Sequence, residues 1–134
     1  MEYKDGYKYQ VFTTYEVPVA IQPQESLTID TYLELDTNGT LRINKGYAWD
    51  GASGPAIDTK TIMRGSLIHD ALYQLMRAGK LGQQWREQAD KELRTACLRD
   101  GMWRIRAWWV YLAVRLFAKK AAMVGMEKRP KVAP

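Results

Sequence analysis

Cysteine and histidine each occur once in the 134 residues, as Cys97 and His69. A single thiol cannot close an internal disulfide, so packing must hold the fold, which suits a reducing or indifferent compartment. A single histidine excludes His-rich zinc sites, HExxH metallopeptidases and metal phosphohydrolases built on several imidazoles. Phenylalanine is nearly absent, with two residues against eight Tyr and five Trp. The longest uncharged run of the apolar C-terminal region, Ala107 to Val114, falls far short of the about 20 residues of a spanning helix. The N-terminal stretch MEYKDGYKYQ has no apolar core of a secretory signal, so no secretory signal is expected.

What is present fits one globular domain. Hydrophobic residues make up 46% and charged residues 26%, and the length suits a single core. The expected division is one α+β domain over residues 1–124 and a basic, proline-containing tail over 125–134. The net charge of +5 is unevenly spread, with +7 in residues 101–134 and −2 before them. That basic end could face an anionic surface or an acidic partner, or simply be a solvated helix.

The chain divides into a strand-like half and a helical half. Residues 7–17 alternate, with Tyr9, Val11, Thr13, Tyr15 and Val17 on one side, and end at Pro18, which is strand spacing. In residues 27–35 Leu27, Ile29, Leu33 and Leu35 share a face. Asp36-Thr37-Asn38-Gly39 then turns the chain and Leu41 and Ile43 resume the pattern, as in a β-hairpin. From Gly46 to Pro55 the run GYAWDGASGP has no period and reads as an ordered functional loop. The remainder predicts three helices: from Asp58 or Thr59 to Ala78, from Gln84 to Asp100, and from Trp103 to Val124. Gly79 and Gly101 are the stops of the first two. The expected fold is α+β, a small N-terminal antiparallel sheet packed against about three C-terminal helices.

Chemistry concentrates at the joins. His69 and Tyr73 are four apart on the first helix, stacked on one face with Ser66 beside them and Asp70 a quarter-turn away. Asp90 lies in line with Leu93 and Cys97 on the second helix, at the margin of the apolar face, where a carboxylate is costly without a partner. Helices joined by only Gly79 to Gln83 pack as antiparallel neighbours, so the His69 imidazole is expected within hydrogen-bond reach of Asp90, with Tyr73 nearby. Such a carboxylate fixes the tautomer and supports the protonated ring, which makes His a general base. Each residue also has a plain structural reading: a satisfied helix-margin histidine, an Asp90 ion pair with Arg86 or Arg94, a half-buried Tyr73, and an Asp50 that caps a turn. On the third helix Arg104, Tyr111 and Arg115 share a face with Ala107, Ala118 and Ala122. That face is expected against protein, with Arg115 paired to Asp50, Asp70 or Asp90.

The order WDGAS (Trp49 to Ser53), HDALY (His69 to Tyr73), Ala89-Asp90 and VYLAVRLF, with Tyr111 and Arg115, resembles a family of small tailed-phage and prophage proteins of unassigned function. The resemblance covers roughly residues 40–118 and implies a viral gene product, expected in the host cytoplasm or the virion. Locally, His69, Asp70 and Tyr73 followed by Asp90 resemble the active-site helices of the phospholipase A2 enzymes, and GASGPAID loosely resembles their calcium loop. This second resemblance implies His69 as base, Asp90 as its orienter, Tyr73 as a support for Asp90, and Asp70 with Asp50 on a divalent cation such as Ca²⁺.

Two functions follow. One is a small phage-encoded hydrolase with a His69/Asp90 dyad, a divalent metal near Asp50 and Asp70, and Ser53, Tyr111 and Arg115 as binding residues. The other is a non-enzymatic virion or accessory protein whose His69/Asp90 pair is structural and whose third helix binds other virion proteins. The discriminator is access, since an enzyme needs His69 reachable and a structural pair can be sealed. Nucleic-acid binding is a weaker third option that rests on the basic C-terminal third.

Overall fold

A computed structural model describes residues 9–10, 13–49 and 60–123. The chain is α+β. Among the described residues, six short strands precede three helices: β1 (Tyr9–Gln10), β2 (Tyr15–Pro18), β3 (Leu27–Ile29), β4 (Leu33–Leu35), β5 (Thr40–Ile43), β6 (Ala48–Trp49), α1 (Lys60–Arg77), α2 (Arg86–Arg99) and α3 (Arg104–Phe117). Strands β2 to β5 form an antiparallel sheet in the order β2-β5-β4-β3, and β1 pairs with β6 in a separate two-stranded ribbon.

Alternation builds the sheet. On β5, Leu41 and Ile43 point inward and are fully buried, while Arg42 between them is exposed. In register, Leu41 lies opposite Val17 and Leu35, and Ile43 opposite Tyr15 and Leu33. On the outer face Arg42 bridges Glu16 at 2.5 Å and Glu34 at 3.1 Å, its neighbours across the two ladders. The Asp36 carboxylate accepts from the backbone N–H groups of Asn38 and Thr40, so the expected turn closes on its own side chain.

Two strand expectations are corrected. Residues 7–17 do not form one strand: Tyr9 pairs in the ribbon and Tyr15–Pro18 in the sheet, with Thr13 and Thr14 irregular between them. Residues 27–35 are themselves a hairpin, in which Leu27 faces Leu35 and Ile29 faces Leu33. Asp30, in the left-handed region at φ 47, makes the turn; aspartate tolerates that conformation better than most residues. The turn returns the chain with the same parity, so the leucines share a face in either reading.

Helix α1 is buried almost all round. Met63, Leu67, Ile68, Ala71, Leu72, Leu75 and Met76 join the sheet residues in one cluster, while Ile62 meets Leu93, Cys97, Met102, Ala107 and Val110 in a second cluster between the helices. Gly65 lets α2 approach closely, because a Cβ there would meet Leu93 Cδ1 at 2.9 Å and Cys97 Sγ at 3.1 Å. Helices α1 and α2 stop at Gly79 and Gly101, both with positive φ, as expected. The expected cap at Asp58 or Thr59 lies outside the described residues, as do Pro55 and the tail.

Helix α3 is shorter than expected. It ends at Phe117, and a 3₁₀ turn covers Lys119–Ala122 instead of a helix that runs to Val124. Tertiary bonds set this end: Arg86 Nη2 donates to the carbonyls of Val114 at 3.1 Å and Arg115 at 2.8 Å, and Gln83 Nε2 donates to the Ala122 carbonyl. The Arg86 donations satisfy two of the last carbonyls of the helix, while Gln83 holds the 3₁₀ turn through Ala122, which is fully buried.

Candidate functional site

The centre of the helical half is a carboxylate, not a hydrophobe. Asp90 is 0% exposed. Its Oδ1 accepts from the Tyr73 hydroxyl at 2.6 Å and lies 2.7 Å from His69 Nε2. Its Oδ2 accepts from Arg115 Nη1 at 2.9 Å. Two residues of α1 and one of α3 thus meet this carboxylate of α2, and the hydrogen bond expected between α1 and α2 is present.

Electrostatics keep the group ionised. Burial pushes Asp90 toward the neutral acid, but the hydrogen bonds and charge from His69, with those from Tyr73 and Arg115, outweigh it and hold the carboxyl below its ordinary range. Burial and then the contact with Asp90 push the Tyr73 phenol well above its ordinary range, so it remains a donor. Arg86 Nε donates to the same hydroxyl at 3.1 Å. Tyr73 is 1% exposed, which corrects the half-buried expectation, and its ring packs on the imidazole with centroids 4.1 Å apart.

An ionised carboxylate is acceptor-only, so the His69 Nε2 that faces it carries the proton, and in the neutral ring Nδ1 keeps the lone pair. Unlike Asp90, the His69 side chain retains 12% of its surface exposed. The arrangement can hold an imidazole in one tautomer and compensate the positive charge that forms when Nδ1 takes a proton.

Asp70 belongs to a different cluster. Its Oδ2 accepts from the Tyr47 hydroxyl at 2.8 Å and its Oδ1 lies 3.9 Å from Arg77 Nη2, while Arg77 donates to buried Gln74. A cation at Asp70 would sit beside a guanidinium and compete with a phenol. Among the described residues no three His, Cys, Asp or Glu side chains gather to hold a metal. Asp50 and Ser53 lie outside the described residues; of the loop expected from Gly46 to Pro55, Ala48–Trp49 is instead strand β6, paired with β1, and residues 50–55 lie outside the described residues.

The remaining sequence candidates are distributed differently. Tyr111 is buried but turned to α2: its hydroxyl lies 3.4 Å from Glu87 Oε2, and its ring lies 4.6 Å under Arg94 and stacks on Trp108. Arg94 therefore packs on rings instead of pairing with Asp90. Ser66 is buried and donates to the Met63 carbonyl at 2.9 Å. Arg104, expected on the packed face, is exposed. Cys97 is buried, and desolvation pushes its thiol up to about 12, so it is inert packing. A cavity of about 540 Å³ between Gln22–Glu25 and the α1–α2 junction, with Lys80 and Trp85 among its walls, contains none of the Asp90 cluster.

Sequence reasoning missed Arg86 as a tie between Tyr73 and α3, and missed Tyr47, Gln74 and Arg77 around Asp70. The spacing of Asp70, Gln74 and Arg77, one and two turns apart on one helix, was the available signal for part of it.

Residues 26–114 match the family described as "Protein of unknown function (DUF1353)". The chain belongs to the DUF1353 family. The match runs from the β3 hairpin through most of α3 and contains His69, Tyr73 and Asp90, while Arg115 falls just beyond it. Neither a curated protein nor a solved structure matches the chain.

Proposed function

We propose that this DUF1353 protein is a small hydrolase in which His69 is the general base, Asp90 orients and compensates it, and Tyr73 holds Asp90 in place. The observation that carries this reading is the contrast in access. Asp90 is sealed at 0% exposure whereas the His69 bonded to it keeps 12% of its side-chain surface exposed. In the reaction, Nδ1 takes a proton from water as that water attacks an ester carbonyl, Asp90 stabilises the imidazolium through Nε2–H, and the tetrahedral adduct collapses as the acyl C–O bond breaks and the alkoxide leaves with the proton returned by Nδ1. Asp70 is committed to Tyr47 and Arg77, so the step rests on His69 and Asp90. The phage or prophage origin rests on the order of the WDGAS, HDALY and YLAVR motifs.

A second reading is supported by Arg115 and Arg86, which tie Asp90 and Tyr73 to α3. In that reading the network locks three helices in register within a non-enzymatic virion or accessory protein. The two separate in one assay. Wild type, His69→Gln and Asp90→Asn are tested against esters, phosphodiesters and peptidoglycan fragments, with and without divalent cations. Ester turnover lost in His69→Gln with circular dichroism unchanged supports the hydrolase. No turnover on any class, or turnover that survives His69→Gln, leaves the structural reading.

A further inference from the structure

Helix α3 is apolar on two opposite sides, and only one is used inside the protein. Ala107, Val110 and Tyr111 are buried against α1 and α2 at 0%, 6% and 7% exposure. On the other side Ile105, Trp109, Leu112 and Leu116 follow a four-three-four spacing, which makes one straight seam. Ile105 is 74% exposed, Trp109 66% and Leu116 72%, with Leu112 half-buried. Trp103 and Phe117 extend the exposed apolar surface past both ends of the seam, at 80% and 73%. A contiguous face of this kind marks an interaction surface.

Charge identifies what covers it. Residues 101–126 contain no Asp or Glu. Arg104 and Arg106, both exposed, flank Ile105 on either side of the seam, and exposed Lys119 follows its far end. Two copies paired seam to seam would bring cation against cation with no carboxylate on α3 to relieve them, so a second copy is a poor occupant. Trp and Phe beside Arg and Lys are the chemistry of a phospholipid surface. The apolar arc sinks to the acyl boundary, the indoles sit at headgroup level, and the cations meet anionic headgroups. We propose that the outward seam of α3 docks this protein on an anionic lipid bilayer, lying in the interface without crossing it. No described helix is long and apolar enough to cross. The proposal is independent of the chemistry at His69.

The experiment uses the full chain and vesicles of phosphatidylcholine alone or with 30% phosphatidylglycerol. Cosedimentation and quenching of Trp emission by brominated lipid are read for wild type, Ile105→Ser/Leu116→Ser and Arg104→Gln/Lys119→Gln, with size-exclusion light scattering beside them. These positions are exposed, and unchanged circular dichroism shows that each variant is folded. Wild type is expected to bind the anionic vesicles with quenched Trp emission. The seam variant should lose binding by at least tenfold, and the charge variant by about thirtyfold, as expected for two interfacial cations. Equal binding to neutral vesicles overturns the electrostatic part. Absence of binding to either composition overturns the proposal, as does a wild-type dimer that the seam variant dissolves, because the seam would then be an interface between copies of the chain.

Discussion

The sheet side of the core and the Asp90 centre between the helices each hold fully buried side chains, yet they are built on opposite rules. Behind the sheet, Ile21, Leu33, Leu35, Leu41 and Ile43 are buried at 0–1% exposure and contribute only shape. Between the helices, an equally buried position is given to Asp90, satisfied by His69, Tyr73 and Arg115. Apolar packing is non-directional, so the sheet core tolerates changes that keep volume. Hydrogen bonds are directional, and each donor here comes from a defined turn of α1 or α3. The polar centre therefore fixes the phase of the helices as well as their contact. It also orients one imidazole, which apolar packing cannot do.

Substitutions should break the two regions differently. Asp90→Ala is the most damaging change, about 3 kcal/mol by chemical denaturation, because Tyr73 and the Arg115 guanidinium lose their acceptor together. Asp90→Asn keeps the shape and should still cost about 2 kcal/mol, since the amide NH₂ faces donors and the charge is gone. Tyr73→Phe removes one donor to Asp90 and the acceptor of Arg86, which should cost about 1.5 kcal/mol. Leu41→Met, an equally buried change of similar volume in the sheet core, should cost about 1 kcal/mol or less. If Leu41→Met proves as damaging as Asp90→Asn, the distinction between the regions fails.

Acid should act on the helical region first. Because the folded Asp90 holds its proton less tightly than an ordinary carboxyl, the unfolded chain binds more protons as the pH drops below about 4. Its contribution is complete above that range and is lost as pH falls through the folded value. The thermal midpoint of wild type should fall more steeply below pH 4 than that of Asp90→Asn, as calorimetry from pH 7 to 2 would read. Parallel curves would mean that Asp90 is no better stabilised in the fold than in the open chain.

The parts legible in the sequence were those with a period. Alternation placed Leu33, Leu35, Leu41 and Ile43 on the core face, and helix spacing placed His69 over Tyr73 and turned Asp90 inward. Positions fixed by long side chains that arrive from elsewhere were not legible. Arg86 donates to the Val114 and Arg115 carbonyls near the end of α3 and Gln83 to the Ala122 carbonyl of the 3₁₀ turn that follows, and neither glycine nor proline marks that end between Phe117 and Val124. The β3–β4 turn at Asp30 was hidden because it uses no glycine and preserves parity. The outward seam of α3 was visible only as a helix apolar most of the way round, and the fold shows which half of it remains open.

The most direct test of the account is the tautomer of the chain's one imidazole. Because His69 is the only histidine, long-range ¹H–¹⁵N spectra of a sample labelled at histidine contain a single ring. The account predicts that the neutral ring carries its proton on Nε2, with that proton shifted downfield by Asp90, and that Asp90→Asn removes the downfield shift. A neutral ring protonated on Nδ1, or an Nε2 proton indifferent to Asp90→Asn, would contradict it.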